Sequence, residues 1–336
     1  MLLIKPSVVG GATGGRISTK TPVGSADLWV TPVYATLPRS MEGVSQPICE
    51  VLPIAPSTYF EHKARQADRS RLPAREHADV VARGHVRRVW QDSGGRYGVR
   101  KVWKQLHRES VPIAKCTVRR LMRQMGLEGA TRGRRWTTTT IADPAAARSP
   151  DLVERQFVAE GPNRLWVSDL TYVWTARRFV YTAFVIDVFS RRIVGWRTTD
   201  HLRTDLVLNA LDQAVYDRLE GPVADGLTAH SDAGTQYTAM RYTDRLAEAG
   251  IAPSIGSVGD SFDNAMAESI IGLYKTEVIN RRDRWDSLEQ VEWETMRWVA
   301  WFNHDRIFEA LGDIPPAEHE GNHYRQTAPT EPVGAT

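Results

Sequence analysis

Residues 165–172 read Leu-Trp-Val-Ser-Asp-Leu-Thr-Tyr, an apolar and β-branched run that contains one acid, Asp169. Two further runs of β-branched and aromatic residues follow at 179–189 and 193–198, with turn residues between them. Such runs, bounded by turn residues, are typical of β-strands. The pattern therefore predicts an antiparallel meander of three strands, with an acid on the first strand.

The chain after the meander predicts alternating helices and strands. Helices are expected at 204–219, 242–249 and 263–278, and short strands at 226–230 and 251–255. A mixed sheet with flanking helices, and with an acid on its first strand, predicts an α/β fold of the RNase H-like type.

Three carboxylates stand out in this pattern: Asp169, Asp232 in the sequence His-Ser-Asp-Ala-Gly-Thr, and Glu268 on the last predicted helix. Asp232 and Glu268 are separated by 35 residues. Mg²⁺ in phosphoryl-transfer sites is held by a few carboxylates together with phosphate oxygens and water. We therefore predict that these acids are catalytic residues and ligands of two divalent ions, Mg²⁺ or Mn²⁺, in a site that cuts or joins DNA. The alternative is three unrelated surface acids.

The composition indicates a globular chain of 336 residues, 42% of them hydrophobic. There is no run of 18 apolar residues and no secretory segment at the N-terminus, so we expect a cytoplasmic protein without membrane contact. The two cysteines, Cys49 and Cys116, have no CxxC or CxxH neighbours. They predict neither a disulfide framework nor a zinc site and are expected in the core.

The net charge of +3 conceals a strong asymmetry. Residues 61–136 contain 20 Lys and Arg against 7 Asp and Glu, whereas residues 137–336 contain 19 against 30. This order is expected of a chain whose first part neutralises phosphates and whose second part holds metal ions. The alternative is a solvated basic surface.

Helical periodicity in the basic segment favours DNA binding. One apolar face recurs at i, i+3, i+4 and i+7: Val118, Leu121, Met122 and Met125. Another face is basic and is predicted to contact DNA: Lys115, Arg119, Arg120 and Arg123. Gly126 is expected to end this helix. Two earlier helices, around 80–90 and 99–106, are separated by a turn at 93–98, which predicts a helix-turn-helix module.

We divide the chain into six predicted segments on composition and periodicity. They are an atypical, disordered extension at 1–44, a short helix-turn-helix-like unit at 45–65, a basic helix-turn-helix domain at 66–130, a linker at 131–160, the catalytic core at 161–320 and a tail at 321–336.

Several motifs occur in a characteristic order between about residues 48 and 326. They are Asn-Arg-Leu-Trp-Val-Ser-Asp-Leu-Thr-Tyr at 163–172, Val-Ile-Asp-Val-Phe-Ser-Arg-Arg-Ile-Val-Gly-Trp at 185–196, His-Ser-Asp-Ala-Gly-Thr-Gln-Tyr at 230–237, Ser-Val-Gly-Asp-Ser-Phe-Asp-Asn-Ala-Met-Ala-Glu-Ser at 257–269, and Trp-Phe-Asn at 301–303 with Pro-Pro-Ala-Glu at 315–318. With these motifs the chain resembles the OrfB-type transposases of the IS-three insertion-sequence family, DDE transposases whose integrase catalytic core belongs to the retroviral integrase superfamily.

The resemblance implies a DNA transposase that binds terminal inverted repeats, cleaves DNA with divalent metal and transfers the strand through a 3′-hydroxyl to integrate the element. It implies Asp169, Asp232 and Glu268 as the metal-binding triad. It also implies double-stranded DNA ends and target DNA as partners, a homo-oligomer, and a product made as a fusion to a small upstream helix-turn-helix protein.

Three further residues are predicted near the triad. Lys275 follows Glu268 by seven residues, about two helical turns, and could contact a DNA phosphate, although an ordinary surface lysine is the alternative. Asn264 lies one turn before Glu268 and either supports the site or simply begins a helix. Asp187, in an apolar run, is either a partner of the ligands or an exposed acid on an edge strand.

Three other functions are alternatives to transposition. The candidates are a catalytically degraded DNA-binding regulator, an RNase H-like nuclease without strand transfer, and a glycosidase with paired carboxylates. The intact acids disfavour the first, the helix-turn-helix units disfavour the second, and the basic segment disfavours the third. Ala233 and Phe308 depart from the family pattern without removing a ligand. His230 is expected to be a packed or hydrogen-bonded histidine, with assistance in proton transfer as the alternative. Three tryptophans are expected in the core, with base stacking as the alternative: Trp166, Trp174 and Trp196.

Overall fold

The computed structural model describes residues 55–131, 153, 157–218, 226–256 and 264–328. The chain divides into two compact units, residues 1–75 and 76–336. In the first unit the described residues form helix α1 (Pro56–Ala67) and a 3₁₀ turn (Arg69–Arg71). The predicted extension at 1–44, the start of the 45–65 unit, Cys49 and most of the linker lie outside the described residues. None of the described helices is long and apolar enough to cross a membrane.

Three helices follow: α2 (Ala74–Asp92), α3 (Val99–Arg108) and α4 (Lys115–Gln124). We call α3, α4 and the part of α2 after residue 75 the bundle. Its core contains the predicted apolar face of α4, with Val118, Leu121 and Met122 buried. Gly126 adopts a positive φ of 64° directly after α4, a conformation that glycine tolerates at a helix end. Cys116 is exposed, so its predicted place in the core is wrong. It lies on the side of α4 that turns away from the buried face.

A five-stranded mixed sheet follows, with strand order β3-β2-β1-β4-β5. The strands are β1 (Leu165–Trp174), β2 (Phe179–Asp187), β3 (Ile193–Thr199), β4 (Thr228–Ser231) and β5 (Ala252–Ile255). The first three pair antiparallel, which confirms the predicted meander. β4 and β5 are parallel to β1, so the fold is the predicted mixed α/β type.

Helices cover both faces of the sheet. One face packs against α5 (Thr204–Arg218) and α6 (Met240–Glu248), and the other against α7 (Ala265–Glu277) and α8 (Leu288–His304). Gly195 on β3 allows α5 to approach closely, because an added Cβ would lie 2.0 Å from the Ala210 carbonyl oxygen. A last helix, α9 (Pro316–Thr327), crosses the predicted boundary at 320, so residues 321–327 form part of a helix and not a tail.

The bundle is packed against the core within the second unit. Ile307, which follows α8, is buried inside the hydrophobic cluster of the bundle. The Tyr97 hydroxyl donates a hydrogen bond to the Asp305 carbonyl (3.2 Å) and accepts one from the Ile307 N–H (2.8 Å). Salt bridges join Lys104 to Asp313 (2.8 Å) and Arg108 to Glu318 (2.6 Å). Residues about 210 positions apart thus hold bundle and core together.

Candidate active site

Asp169 and Asp232 are brought together by two neighbouring parallel strands. Ser168 on β1 is paired with Ser231 on β4, and each acid follows its serine directly. Asp169 accepts a hydrogen bond from the Leu170 N–H (2.7 Å), and Asp232 accepts one from the Gly234 N–H (3.1 Å). The two acids therefore lie side by side at the edge of the sheet where β4 ends, although β1 continues to Trp174.

Glu268 approaches this edge from the first turn of α7. Asn264, at the N-cap of α7, is buried and donates a hydrogen bond from Nδ2 to the Ser168 carbonyl (2.9 Å). This bond fixes the start of the helix against the residue that precedes Asp169. Asn264 is thus the residue at which α7 begins, as one of its two predicted alternatives has it, and its support of the catalytic site stays a prediction.

The electrostatics of the three acids are coupled. Burial raises the pKa of Asp169 well above its usual range, and the charges of Asp232 and Glu268 raise it further, while Lys275 lowers it. Burial also raises the pKa of Asp232. The pKa of Glu268 is raised by burial and by Asp232. Carboxylates that repel one another favour a cation between them.

The carboxylate oxygens of Asp169, Asp232 and Glu268 are ligands of the chemical type that a divalent cation such as Mg²⁺ prefers. Among the described residues, no three acidic, histidine or cysteine side chains lie close enough to hold a metal ion as placed. Within the same residues, the buried Oδ1 of Asn264 and hydroxyl of Tyr237 have no hydrogen-bond partner. Buried polar atoms without partners are uncommon and call for a ligand, a water molecule or an ion. Both orphaned atoms belong to residues next to the acids, which suits a site that binds a hydrated cation.

Tyr237 was not identified from the sequence. Its ring is buried and packs edge-on against Tyr242, with ring centroids 5.4 Å apart. Burial raises the pKa of the Tyr237 phenol well above its usual range, and Asp169 and Asp232 contribute to the rise. The signal was available, because Tyr237 ends the same motif that contains Asp232.

The basic residues of α4 differ in their surroundings. Lys115, Arg119 and Arg123 are exposed. Arg120 instead donates two hydrogen bonds to the carboxylate of Asp79 on α2 (2.7 and 2.8 Å), so its charge is compensated within the bundle. Three of the four predicted DNA contacts are therefore accessible, and their role stays a prediction.

Asp187 is buried on β2, an interior strand, so the alternative of an exposed acid on an edge strand is wrong. Its Oδ1 accepts hydrogen bonds from the N–H (2.7 Å) and the hydroxyl (2.6 Å) of Ser190, and its Oδ2 accepts one from the Asn163 N–H (2.8 Å). Burial raises the pKa of Asp187 despite these bonds. Its observed contacts fix the turn between β2 and β3.

His230 is fully buried, with Nδ1 2.9 Å from the Ser254 hydroxyl, which confirms a packed histidine. Trp166 is fully buried and Trp196 packs against the core. Trp174 is 61% exposed, so its predicted place in the core is wrong. It ends β1, beyond the helices that cover the sheet.

Comparison with known proteins identifies two kinds of domain in the chain. Models of an integrase core domain match residues 159–261 and 249–316, and a model of an HTH-like domain matches residues 76–135. An HTH-like domain followed by an integrase core defines a protein of the transposase and integrase class. The transposase for insertion sequence element IS629 of Shigella sonnei is 48% identical over 286 residues, covering 85% of this chain and 94% of that protein. The chain belongs to the OrfB-type transposases of the IS-three insertion-sequence family.

Other similar proteins also come from insertion sequence elements. A protein of insertion sequence element IS986/IS6110 from Mycobacterium tuberculosis is 51% identical over 277 residues, which cover 82% of this chain and 98% of the relative. The transposase for insertion sequence element IS904 of Lactococcus lactis is 32% identical over 237 residues, which cover 70% of this chain and 91% of that protein. Among solved structures, a chain of the simian T-cell lymphotropic virus intasome matches with a TM-score of 0.43 at 12% identity, over 69% of this chain and 80% of that chain. That structural likeness is too weak to carry an argument.

Proposed function

We propose that this transposase cleaves and joins DNA at a site built from Asp169, Asp232 and Glu268, with Mg²⁺ or Mn²⁺ held by their carboxylates. What supports this most directly is the electrostatic coupling of the acids of β1, of the residue after β4 and of α7: burial raises the pKa of Asp169, and the charges of Asp232 and Glu268 raise it further. Divalent ions held there would polarise the scissile phosphate and activate the attacking oxygen, first of water and then of a DNA 3′-hydroxyl.

The residues around the acids have separate tasks in this proposal. Asn264 keeps α7 in register with β1, which sets the position of Glu268 relative to Asp169. Lys275 lowers the pKa of Asp169 and would contact a phosphate beside the scissile bond. The Tyr237 hydroxyl is buried, and burial together with the charges of Asp169 and Asp232 raises its pKa. It would donate a hydrogen bond to Asp169 or to a water molecule in the metal-bound site.

DNA recognition is assigned to the bundle. The exposed Lys115, Arg119 and Arg123 on α4 would contact the terminal inverted repeats of the element, in the manner of a recognition helix. Two DNA ends and a target require at least two copies of the chain acting together. A small upstream helix-turn-helix protein, fused or paired, would supply further end recognition.

The test uses purified protein, labelled DNA carrying both ends of its own element, and Mg²⁺ added or withheld. Glu268→Gln should retain DNA binding and lose cleavage and joining. Glu289→Gln is a matched control, since Glu289 also lies in the first turn of a helix, and it should cleave as the parent does. Cleavage by Glu268→Gln would remove that residue from the mechanism. Binding without cleavage by the parent protein would favour a degraded regulator.

A further inference from the structure

An exposed aromatic surface lies on the hairpin of β1 and β2. The register places Trp174 opposite Phe179 and Tyr172 opposite Tyr181, so all four rings are on one face of the hairpin. Ring centroids are 4.7 Å apart for Trp174 and Phe179, and 5.5 Å apart for Tyr172 and Phe179. Trp174 is 61% exposed, Phe179 43% and Tyr172 41%. We call these three exposed residues the aromatic ladder.

Positive charge lies beside the aromatic ladder. The Lys275 ammonium is 5.7 Å from the centre of the Tyr172 ring. Arg177 and Arg178, in the turn between the two strands, are exposed. Arg178 forms a salt bridge with Asp200, and Glu289 lies near both arginines, so the positive charge beside the rings comes from Lys275 and from part of the charge of Arg177. Aromatic rings interleaved with cations are typical of surfaces that bind unpaired nucleic acid.

The aromatic ladder lies near the candidate active site, on the opposite face of the same strand. Tyr172 and Trp174 lie three and five residues beyond Asp169, about 10 and 17 Å along β1 at about 3.3 Å per residue, and because side chains alternate across a strand, their rings and the Asp169 carboxylate point to opposite faces. A DNA strand that reaches both would therefore pass around an edge of β1. β4 pairs with β1 only as far as Ser168, and no described strand covers that edge of β1 beyond it. At a stacking distance of about 3.4 Å, some three to five nucleotides would span this gap. Lys275 connects the two regions, because it lies over Tyr172 and also lowers the pKa of Asp169.

We propose that the aromatic ladder stacks unpaired bases of the DNA strand whose phosphate enters the active site. This inference rests on the proposed function, because it takes Asp169 as the place where the strand is cut. A second copy of the chain is a less suitable occupant. A standard protein interface uses about 20–30 residues a side, whereas one base needs only one ring to stack on.

Binding of the full chain to fluorescent DNA, without metal, tests the proposal. Two duplexes are compared, one fully paired and one with an unpaired tract at its end that carries 2-aminopurine. Trp174→Ala should weaken binding to the unpaired end about tenfold or more and abolish quenching of the probe, with binding to the paired duplex unchanged. Trp174→Phe should restore binding, since a phenyl ring also stacks. Trp293→Ala is the control, because Trp293 is also a highly exposed tryptophan (58%) but lies on α8 and does not belong to the aromatic ladder.

Either of two results would overturn the proposal. One is equal affinity of Trp174→Ala and the parent protein for the unpaired end. The other is a change of oligomeric state in Trp174→Ala without DNA, measured by sedimentation, which would make the ladder an interface between copies of the chain. Because binding is measured without metal, absence of cleavage by the parent protein would contradict the proposed chemistry and leave this test intact.

Discussion

Replacing Arg306 with methionine should destabilise the protein through a buried ion pair beneath the bundle. Arg306 and Glu277 are both almost fully buried, and their side chains are joined at 2.7 Å. Glu277 also accepts a hydrogen bond from the Trp298 indole N–H (3.0 Å). Removing one partner of a buried pair leaves an uncompensated charge, at a cost of about 3–5 kcal/mol. We expect a value near 3 kcal/mol, because the Trp298 hydrogen bond remains.

Lys101 provides a second reason for the lower value. Burial, with a contribution from Arg306, lowers the pKa of Lys101 to about 7. In Arg306→Met the repulsion from Arg306 is gone, so Lys101 should be protonated at neutral pH and partly compensate Glu277. Adding Lys101→Met should then bring the cost to the upper end of the range. Urea unfolding monitored by tryptophan fluorescence measures the free energy of unfolding of each variant.

The pH dependence supplies an independent readout. Burial alone would raise the pKa of Glu277, but Arg306, Lys101 and Trp298 together hold it below its usual range. A lowered pKa in the folded state gives stability that is present above the usual glutamate range and lost as the pH falls through the folded value. In Arg306→Met burial should dominate and raise that pKa, so the variant should lose less on acidification than the parent does.

The double variant Arg306→Met/Glu277→Leu decides whether the reasoning holds. It removes both charges of the pair, and Lys101 can lose its proton, so the double variant should cost less than Arg306→Met alone. A cost below about 1 kcal/mol for Arg306→Met, or costs that simply add in the double variant, would refute the account of a coupled buried pair.

Three other predictions concern the site and the bundle. In metal-free protein, Asp169→Asn should raise the melting temperature at pH 8 and reduce the further stabilisation by Mg²⁺. The folded-state pKa of Asp169 is raised, so its contribution to stability is present below the usual aspartate pKa and is lost as the pH rises from there through the raised value. An unchanged melting temperature would contradict the coupling of the acids. Tyr237→Phe should stabilise the metal-free protein by about 1 kcal/mol, since it removes a buried hydroxyl without a hydrogen-bond partner. The same variant should cleave DNA more slowly. Destabilisation would show that the hydroxyl already has a hydrogen-bond partner. Replacing Arg119 and Arg123 with alanine should reduce the slope of log affinity against log salt by about 2, and an unchanged slope in a filter-binding titration would exclude α4 as the DNA-binding helix.

The local sequence pattern was sufficient to predict the strands and helices of the α/β core. The run around Asp169 predicted β1, and the strand assignments on either side gave the meander, because burial on one side of a sheet leaves a visible pattern in the residues. The apolar face of α4 was predicted for the same reason, and the structure buries it. The sequence placed Asp169 inside the first strand and Asp232 directly after a later strand, but the pairing of β1 with β4 that makes the two acids neighbours is seen only in the structure.

Contacts between distant segments could not be predicted in this way. Ile307 fills the hydrophobic cluster of the bundle although it follows α8 of the core, and nothing periodic links it to Tyr97. Trp174 and Cys116 were assigned to the core from residue type, which measures how well a side chain would be buried and not whether a neighbour is present to bury it. Arg120 was grouped with its basic neighbours because its partner, Asp79, lies on another helix.

The packing of the bundle against the core fixes the distance between α4 and the candidate active site. With Ile307 and the Tyr97 hydroxyl locking the two parts together, the helix assigned to reading DNA and the carboxylates assigned to cutting it stand at a constant separation within each chain. The position of a cut would then be counted from the recognised sequence by the protein itself, in whole base pairs. Inserting half a helical turn of DNA between the two would place the scissile bond on the wrong side of the duplex.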